Sequence, residues 1–144
     1  MGLDGFKEGL HKAGVTVGAK VFPDRTKGNL TRAGITMTTS IGLAQTGEGP
    51  FARVQKIADG SDRAPAIVDF TVGVFERMKG MCHESALQAA ALNNPELSQR
   101  FTDVAARVDD MVAAIRSGAY ETVDEKRTEV EKAVGEAVWL LGTL

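Results

Sequence analysis

The sequence is poor in the side chains from which many catalytic and redox sites are built. Its 144 residues include one cysteine, two histidines, one tryptophan and one tyrosine. A single cysteine, Cys82, excludes an intrachain disulfide and any zinc site that needs several cysteines. The chain has only two histidines, His11 and His83, which are too few for a catalytic or metal-binding histidine cluster. We therefore expect a protein that is not an enzyme and that suits a reducing compartment.

Charge of one sign and long apolar runs are scarce as well. Seventeen Lys and Arg against 19 Asp and Glu give a formal net charge of −2, which provides no bulk attraction to nucleic acid or to an anionic membrane. The first twenty residues are interrupted by charged side chains such as Asp4, Lys7 and Lys12, so they predict neither a signal sequence nor a membrane span. We expect a cytoplasmic chain with no transmembrane segment and no nucleic-acid partner.

What the sequence does have is apolar residues at helical spacing. With 43% hydrophobic and 25% charged residues, it is typical of one globular domain, which we expect to span residues 1–144. Apolar positions three and four residues apart predict an all-α fold, a compact bundle of about six or seven helices.

The first predicted helix is amphipathic and ends at Pro23, before a polar connection over residues 24–29. Several glycines each lower the stability of this helix by roughly 1 kcal/mol relative to alanine, so it needs a packing partner. Its apolar face contains Leu3, Phe6, Leu10, Ala13, Val17 and Val21.

Residues 30–44 fit two interpretations. The β-branched residues Ile35 and Thr36 favour a strand, and apolar residues alternate in part with polar ones. No other segment provides a convincing partner strand, so we predict a buried helix. A loop over 45–50 then leads into a helix over 50–58, because proline suits the first turn of a helix.

Two separate helices are predicted between residues 65 and 92. The first follows a polar loop over 59–64 and ends near Gly80, and the second covers 85–92. The apolar stripe that indicates the first of them consists of Ile67, Phe70, Thr71, Val74, Phe75 and Met78.

Capping residues mark the last two helices. Asn94 followed by Pro95 predicts a helix start, Gly118 predicts its end, and Thr122 with Glu125 matches a capping box for the final helix. The two apolar stripes are Leu97, Phe101, Val104, Val108, Val112 and Ile115, and then Val130, Val134, Ala137, Val138 and Leu141.

Three stretches carry a resemblance to a known family. Residues 91–96 read Ala-Leu-Asn-Asn-Pro-Glu before an apolar helix, residues 124–142 begin with Asp-Glu-Lys and end in Leu-Gly, and the first twenty residues are the amphipathic opening segment. They resemble segments of the TerB family, small helical proteins of tellurite-resistance operons. The resemblance spans the chain. It implies an all-helical fold of two similar halves and a non-enzymatic role in binding other proteins, within a stress-response or membrane-associated assembly.

The same resemblance implies two metal-binding loops, and both are altered here. TerB-like proteins carry an Asp-Gly pair in each half, but in this chain Thr46 precedes Gly47 and Ser117 precedes Gly118. Calcium takes about six to eight oxygen ligands, so the loss of both loop acids should weaken its binding substantially.

Three acids remain near the second loop, namely Glu121, Asp124 and Glu125. We favour the interpretation that they compensate the helix dipole, since negative side chains are stabilising at a helix start. A calcium site, which would be the only cofactor site of the chain, is the alternative.

Two further motifs are better explained as structural features than as functional sites. Residues 47–52 fit the glycine pattern of a dinucleotide-binding loop, but Pro50 removes one backbone N–H and no alternating strands and helices follow, so a turn is favoured. Cys82 and His83 are adjacent, but neighbours on a helix point about 100° apart and no third, orienting residue is evident, so we predict a buried or half-exposed thiol beside a histidine in a loop.

The predicted partner-binding residues are Phe6 and Leu10 on the first helix and Trp139 and Leu140 on the last. Trp139 lies about half a turn from the apolar stripe, so both sides of the last helix are apolar. Tryptophan is favoured at the centres of interfaces, but the residues favour a place in a large internal core slightly more than a partner-binding position. The alternative function is a structural subunit that assembles with copies of itself into a shell, a filament or a phage particle.

Overall fold

The computed structural model describes residues 25–143, which form five α-helices and, within that range, no strand. The all-α class is confirmed for this part of the chain, whereas the number of six or seven helices is not. The predicted first helix and its end at Pro23 lie outside the described residues. None of the described helices is long and apolar enough to cross a membrane. The helices are α1 (Arg25–Ala44), α2 (Gly49–Asp59), α3 (Pro65–Ala91), α4 (Pro95–Ser117) and α5 (Tyr120–Leu141).

Residues 30–44 are helical and form most of α1, so the predicted helix is confirmed and the strand is not. It begins at Arg25, so the predicted polar connection is wrong over residues 25–29. Leu30 is fully buried, and packing of this kind outweighs the low helix propensity of Gly28 and Asn29. The buried apolar face of α1 consists of Leu30, Ala33, Met37 and Ile41.

Helix α2 is short and is bounded by turns. It begins one residue before Pro50 and ends at Asp59, close to the predicted boundaries. Gly60, with φ of 92°, ends the helix in the left-handed conformation that glycine adopts without strain. The ring of Phe51 in α2 meets that of Phe75 in α3 edge to face, with the centroids 5.1 Å apart.

Helix α3 is continuous, so the predicted end near Gly80 and the separate helix over 85–92 are wrong. A glycine inside a helix costs about 1 kcal/mol relative to alanine. The buried face nevertheless continues on both sides of it, from Phe75 through Met78 to Cys82. Burial of these side chains in the core outweighs the cost of the glycine.

Phe70 does not belong to the core, contrary to the predicted stripe. Its side chain is 60% exposed, and the guanidinium carbon of Arg53 lies 5.8 Å from the centre of its ring. A helix turns about 100° per residue, so Phe70 points about 140° away from Phe75, which lies at the centre of the buried face.

The predicted N-terminal cap of α4 is confirmed, and the predicted capping box of α5 is wrong. Asn94 Oδ1 accepts the backbone N–H of Leu97 at 3.0 Å, and Gly118, with φ of 78°, ends α4. Helix α5 then begins at Tyr120 with no capping side chain. Because only two residues separate the helices, Thr122 already lies in the first turn, where its hydroxyl donates to the carbonyl of Ala119 at 2.9 Å.

Helix α4 runs antiparallel to both α3 and α5. The Nζ of Lys79 donates to Asp109 at 2.9 Å towards one end of the α3–α4 pair, and the hydroxyl of Ser98 donates to the carbonyl of Ala86 at 2.8 Å towards the other. The start of α4 also meets the end of α5. The six positions of the predicted α4 stripe and the five of the α5 stripe are all buried.

Helix α1 enters the bundle from the same side as the start of α4. It is antiparallel to α3, since Met37 contacts Cys82 while residues nearer its start lie beside Ser85 and Gln88. A Cβ added to Gly34 would lie 2.6 Å from Cδ1 of Leu141, so the missing side chain lets α1 approach the end of α5 closely. We call this side, with the 92–94 loop, the start of α1 and the end of α5, the cleft end.

Candidate functional site

A cleft of about 390 Å³ opens at the cleft end, between the start of α4 and the end of α5. Glu96 and Arg100 of α4 form one wall, and Glu136, Trp139 and Leu140 of α5 form the other. We call this feature the Trp139 cleft. Its apolar residues, Trp139 and Leu140, beside charged side chains are the combination found at many protein-binding surfaces.

An ion pair holds the two walls of the Trp139 cleft together. Arg100 Nη1 lies 3.4 Å from Oε2 of Glu136 and 3.8 Å from Oδ2 of Asp103. These side chains are about two-fifths exposed, and exposed pairs contribute only about 0–1 kcal/mol to stability. The pair therefore matters more for the shape of the rim than for the stability of the bundle.

The structure places Trp139 and Leu140 side by side in the Trp139 cleft, both half-buried. The neighbouring Val138 and Leu141 point into the core and are buried. Trp139 therefore does not lie in the fully buried interior, the position that the sequence slightly favoured. The other two predicted contact residues, Phe6 and Leu10, lie outside the described residues.

The structure does not assemble the three predicted acids into a metal site. Glu121, Asp124 and Glu125 are exposed on α5, and among residues 25–143 no group of three or more His, Cys, Asp or Glu could hold a metal ion. Asp124 Oδ1 instead accepts from Nε of Arg127 at 3.0 Å. The same guanidinium also bonds Glu131, so the carboxylate of Asp124 is paired within α5.

The glycine motif at 47–52 forms the turn before α2 and the first four residues of that helix. Gly47 and Gly49 have φ of 79° and 83°, and the N–H of Glu48 donates to the carbonyl of Leu43 at 3.0 Å. A helix and not a strand precedes this turn. The arrangement lacks the strand, turn and helix that a dinucleotide site requires.

Cys82 is buried, which is one of the two predicted environments, whereas the predicted loop position of His83 is wrong, because this residue lies within α3. Cys82 is fully buried and its thiol donates to Sδ of Met37 at 3.6 Å. Burial raises the pKa of this thiol to about 12, so almost none of it is thiolate at neutral pH. His83 is exposed on the next position of α3, where it is not placed to act as a base for the thiol.

Two features of the surface were not predicted. The charged rim of the Trp139 cleft depends on the antiparallel pairing of α4 with α5, which no local pattern reveals. The strong exposure of Leu87, at 74%, follows from its place on α3 away from α4. The helical angle between Leu87 and the buried Ala86 or Ala89 could have indicated it.

No protein-family model, curated protein or solved structure matches the chain. The TerB resemblance therefore remains a prediction from the sequence.

Proposed function

We propose that the chain is a non-enzymatic helical module that binds another protein through the Trp139 cleft. The observation that carries this proposal is the pairing of a half-buried tryptophan and leucine with a charged rim in one cleft. Aromatic side chains at the centre of a surface and charged groups around it are typical of binding hot spots. A helix of the partner that inserts apolar side chains between α4 and α5 would fit this shape.

The setting of this function follows from the resemblance alone. A TerB-like module would act in the cytoplasm, in a stress-response or membrane-associated assembly. The proposal needs no metal, because the cleft is lined by an aromatic and an aliphatic side chain and by a paired rim.

Affinity capture with the full chain tests the proposal. The tagged wild type, Leu140→Asp and Trp139→Ala are compared for proteins recovered from the cells in which the chain occurs. Leu87→Asp is the matched control, because it places the same charge on an exposed leucine outside the Trp139 cleft.

We expect both cleft variants to lose the recovered proteins about tenfold or more, as hot-spot substitutions do, and the control to retain them. Far-UV circular dichroism checks that all variants remain helical. Equal recovery by wild type and both cleft variants would contradict the proposal.

A self-assembling structural subunit is the second candidate. It is supported by two large exposed apolar side chains on α3, Phe70 and Leu87, which are 60% and 74% exposed. Light scattering on the purified chain distinguishes the candidates. A large species that forms without a partner and is lost in Phe70→Asp or Leu87→Asp favours the subunit, and a small species of constant mass favours the module.

A further inference from the structure

We propose that a pocket between α1 and α3 binds a free aliphatic α-amino acid. The pocket has a volume of about 220 Å³ and shares no residue with the Trp139 cleft, so this inference does not rest on the proposed function. Drug-sized ligands occupy pockets of about 300–1,000 Å³, and the smaller volume therefore fits a smaller molecule. The residues of the pocket that carry the argument are Arg32 and Ala33 of α1 and Met81, Glu84, Ser85 and Gln88 of α3.

The floor of the pocket is formed by two small side chains. Ala33 and Ser85 are 4% and 3% exposed, and they lie where the antiparallel helices α1 and α3 face each other. Their small size leaves space between the two helices. Met81 lies half-buried beside them, so the pocket has an apolar side that suits an aliphatic group.

The hydroxyl of Ser85 has no hydrogen-bond partner in the part of the chain that the structure describes. Hydroxyl side chains inside a helix can donate to the carbonyl four residues earlier, as Thr71 of the same helix does to Ile67 at 2.7 Å. Ser85 makes no such bond. Buried polar side chains are nearly always hydrogen-bonded, so this hydroxyl points to a ligand in the pocket.

Two opposite charges lie on the two sides of the pocket. Arg32 and Glu84 are both exposed and line it from different helices. Within residues 25–143 neither of them takes part in an ion pair. Nε2 of Gln88 donates to Oε1 of Glu84 at 3.3 Å, which orients the carboxylate. A cation and an anion are therefore available to a bound molecule.

An α-amino acid carries the groups that complement this pocket. Its carboxylate can form charge-assisted hydrogen bonds with the guanidinium of Arg32, and its ammonium group can donate to the carboxylate of Glu84. The hydroxyl of Ser85 is both a donor and an acceptor, so it can bond to either group. An aliphatic side chain would then pack against Ala33 and Met81. A ligand with a single charge would leave either Arg32 or Glu84 without a counterpart.

Isothermal titration calorimetry on the full chain tests this inference, with L-alanine, L-valine and L-leucine as probes. The amide and the deaminated acid of each probe separate its two charges, because the amide lacks the carboxylate and the deaminated acid lacks the ammonium group. We expect saturable binding of at least one amino acid. Its two analogues should bind about tenfold more weakly or less, since each loses a charge-assisted contact.

The variant Arg32→Gln tests the guanidinium. It should raise the dissociation constant of the amino acid about tenfold or more, because the carboxylate loses its charged partner. Arg107→Gln is the matched control, since it removes the same charge from an exposed position of α4 outside the pocket. The control should bind the amino acid as tightly as wild type.

The variant Ser85→Ala tests the unpaired hydroxyl. It should raise the dissociation constant by roughly three- to tenfold without lowering the urea midpoint of the ligand-free protein, because no hydrogen bond is lost there. Ser98→Ala is the matched control, since the hydroxyl of Ser98 donates to the carbonyl of Ala86. It should lower the urea midpoint and leave the dissociation constant unchanged.

Absence of saturable heat with all three amino acids would overturn the inference. Equal binding of an amino acid and its deaminated acid would do the same, and so would equal dissociation constants for wild type and Arg32→Gln. The proposed function is tested by protein capture with variants of the Trp139 cleft, so the two proposals can fail separately.

Discussion

At the scale of single residues, the environment of a side chain decides what its chemistry can be. Cys82 is the only thiol of the chain, and a nucleophile would need a lowered pKa and a base in contact. Its burial between α1 and α3 does the opposite and raises the pKa from 9.0 to about 12. The thiol therefore belongs to the packing of the core.

We expect the raised pKa of Cys82 to make the protein less stable at high pH. Between pH 9 and pH 12 the folded thiol keeps a proton that the unfolded thiol has lost, so the free energy of unfolding falls as the pH rises. The loss approaches about 1.4 kcal/mol for each pH unit within this window. Urea titrations at pH 8 and pH 10 measure it.

The variant Cys82→Ala isolates the contribution of the thiol from that of other groups that titrate at high pH. It should lose about 1 kcal/mol less than wild type between pH 8 and pH 10. Equal losses in the two proteins would show that the thiol is not desolvated in the folded state.

At the scale of helices, local patterns predicted some boundaries and missed others for a physical reason. Asn94 caps α4 because a side-chain oxygen one residue before a helix can reach the first free N–H groups, and this information is local. The continuity of α3 through Gly80 is not local, because it depends on the burial of Phe75 and Cys82. Sequence alone could not weigh that burial against the cost of a glycine.

Alanine substitution of Asn94 and of Thr122 should lower the free energy of unfolding by different amounts. Asn94→Ala removes the acceptor of the Leu97 N–H and should lower the free energy of unfolding by about 1 kcal/mol. Thr122→Ala removes only a bond from the hydroxyl to the carbonyl of Ala119, and alanine has the higher helix propensity, so the change should stay within about 0.5 kcal/mol. Chemical denaturation measures both. A larger loss for Thr122→Ala than for Asn94→Ala would support the predicted capping box.

At the scale of the whole molecule, the sequence predicted the helical class and two residues of the candidate site. Trp139 and Leu140 could be found because their helix is apolar on two sides. The rim residues Glu96, Arg100 and Glu136 could not be found, because they become neighbours only when α4 and α5 pair.

The charge pairs at the start of α5 lead to an expectation for calcium. Since Asp124 is paired with Arg127 and the three acids form no metal-binding group, calcium should leave the midpoint of thermal unfolding unchanged relative to EDTA. A bound ion at a hundred times its dissociation constant would stabilise the protein by about 2.7 kcal/mol, which is easily detected. A calcium-specific rise that disappears in Glu121→Ala or Asp124→Ala would restore the metal site that the resemblance implies.

The close approach of Gly34 to Leu141 has a consequence for the order in which the molecule folds. Helices α3, α4 and α5 meet their neighbours in the sequence, so their contacts close short loops and can form early. The contact between α1 and α5 joins residues about a hundred positions apart, and the entropy of closing so long a loop is lost before any contact forms. We expect α1 to pack onto the bundle late, after α3, α4 and α5 have already associated.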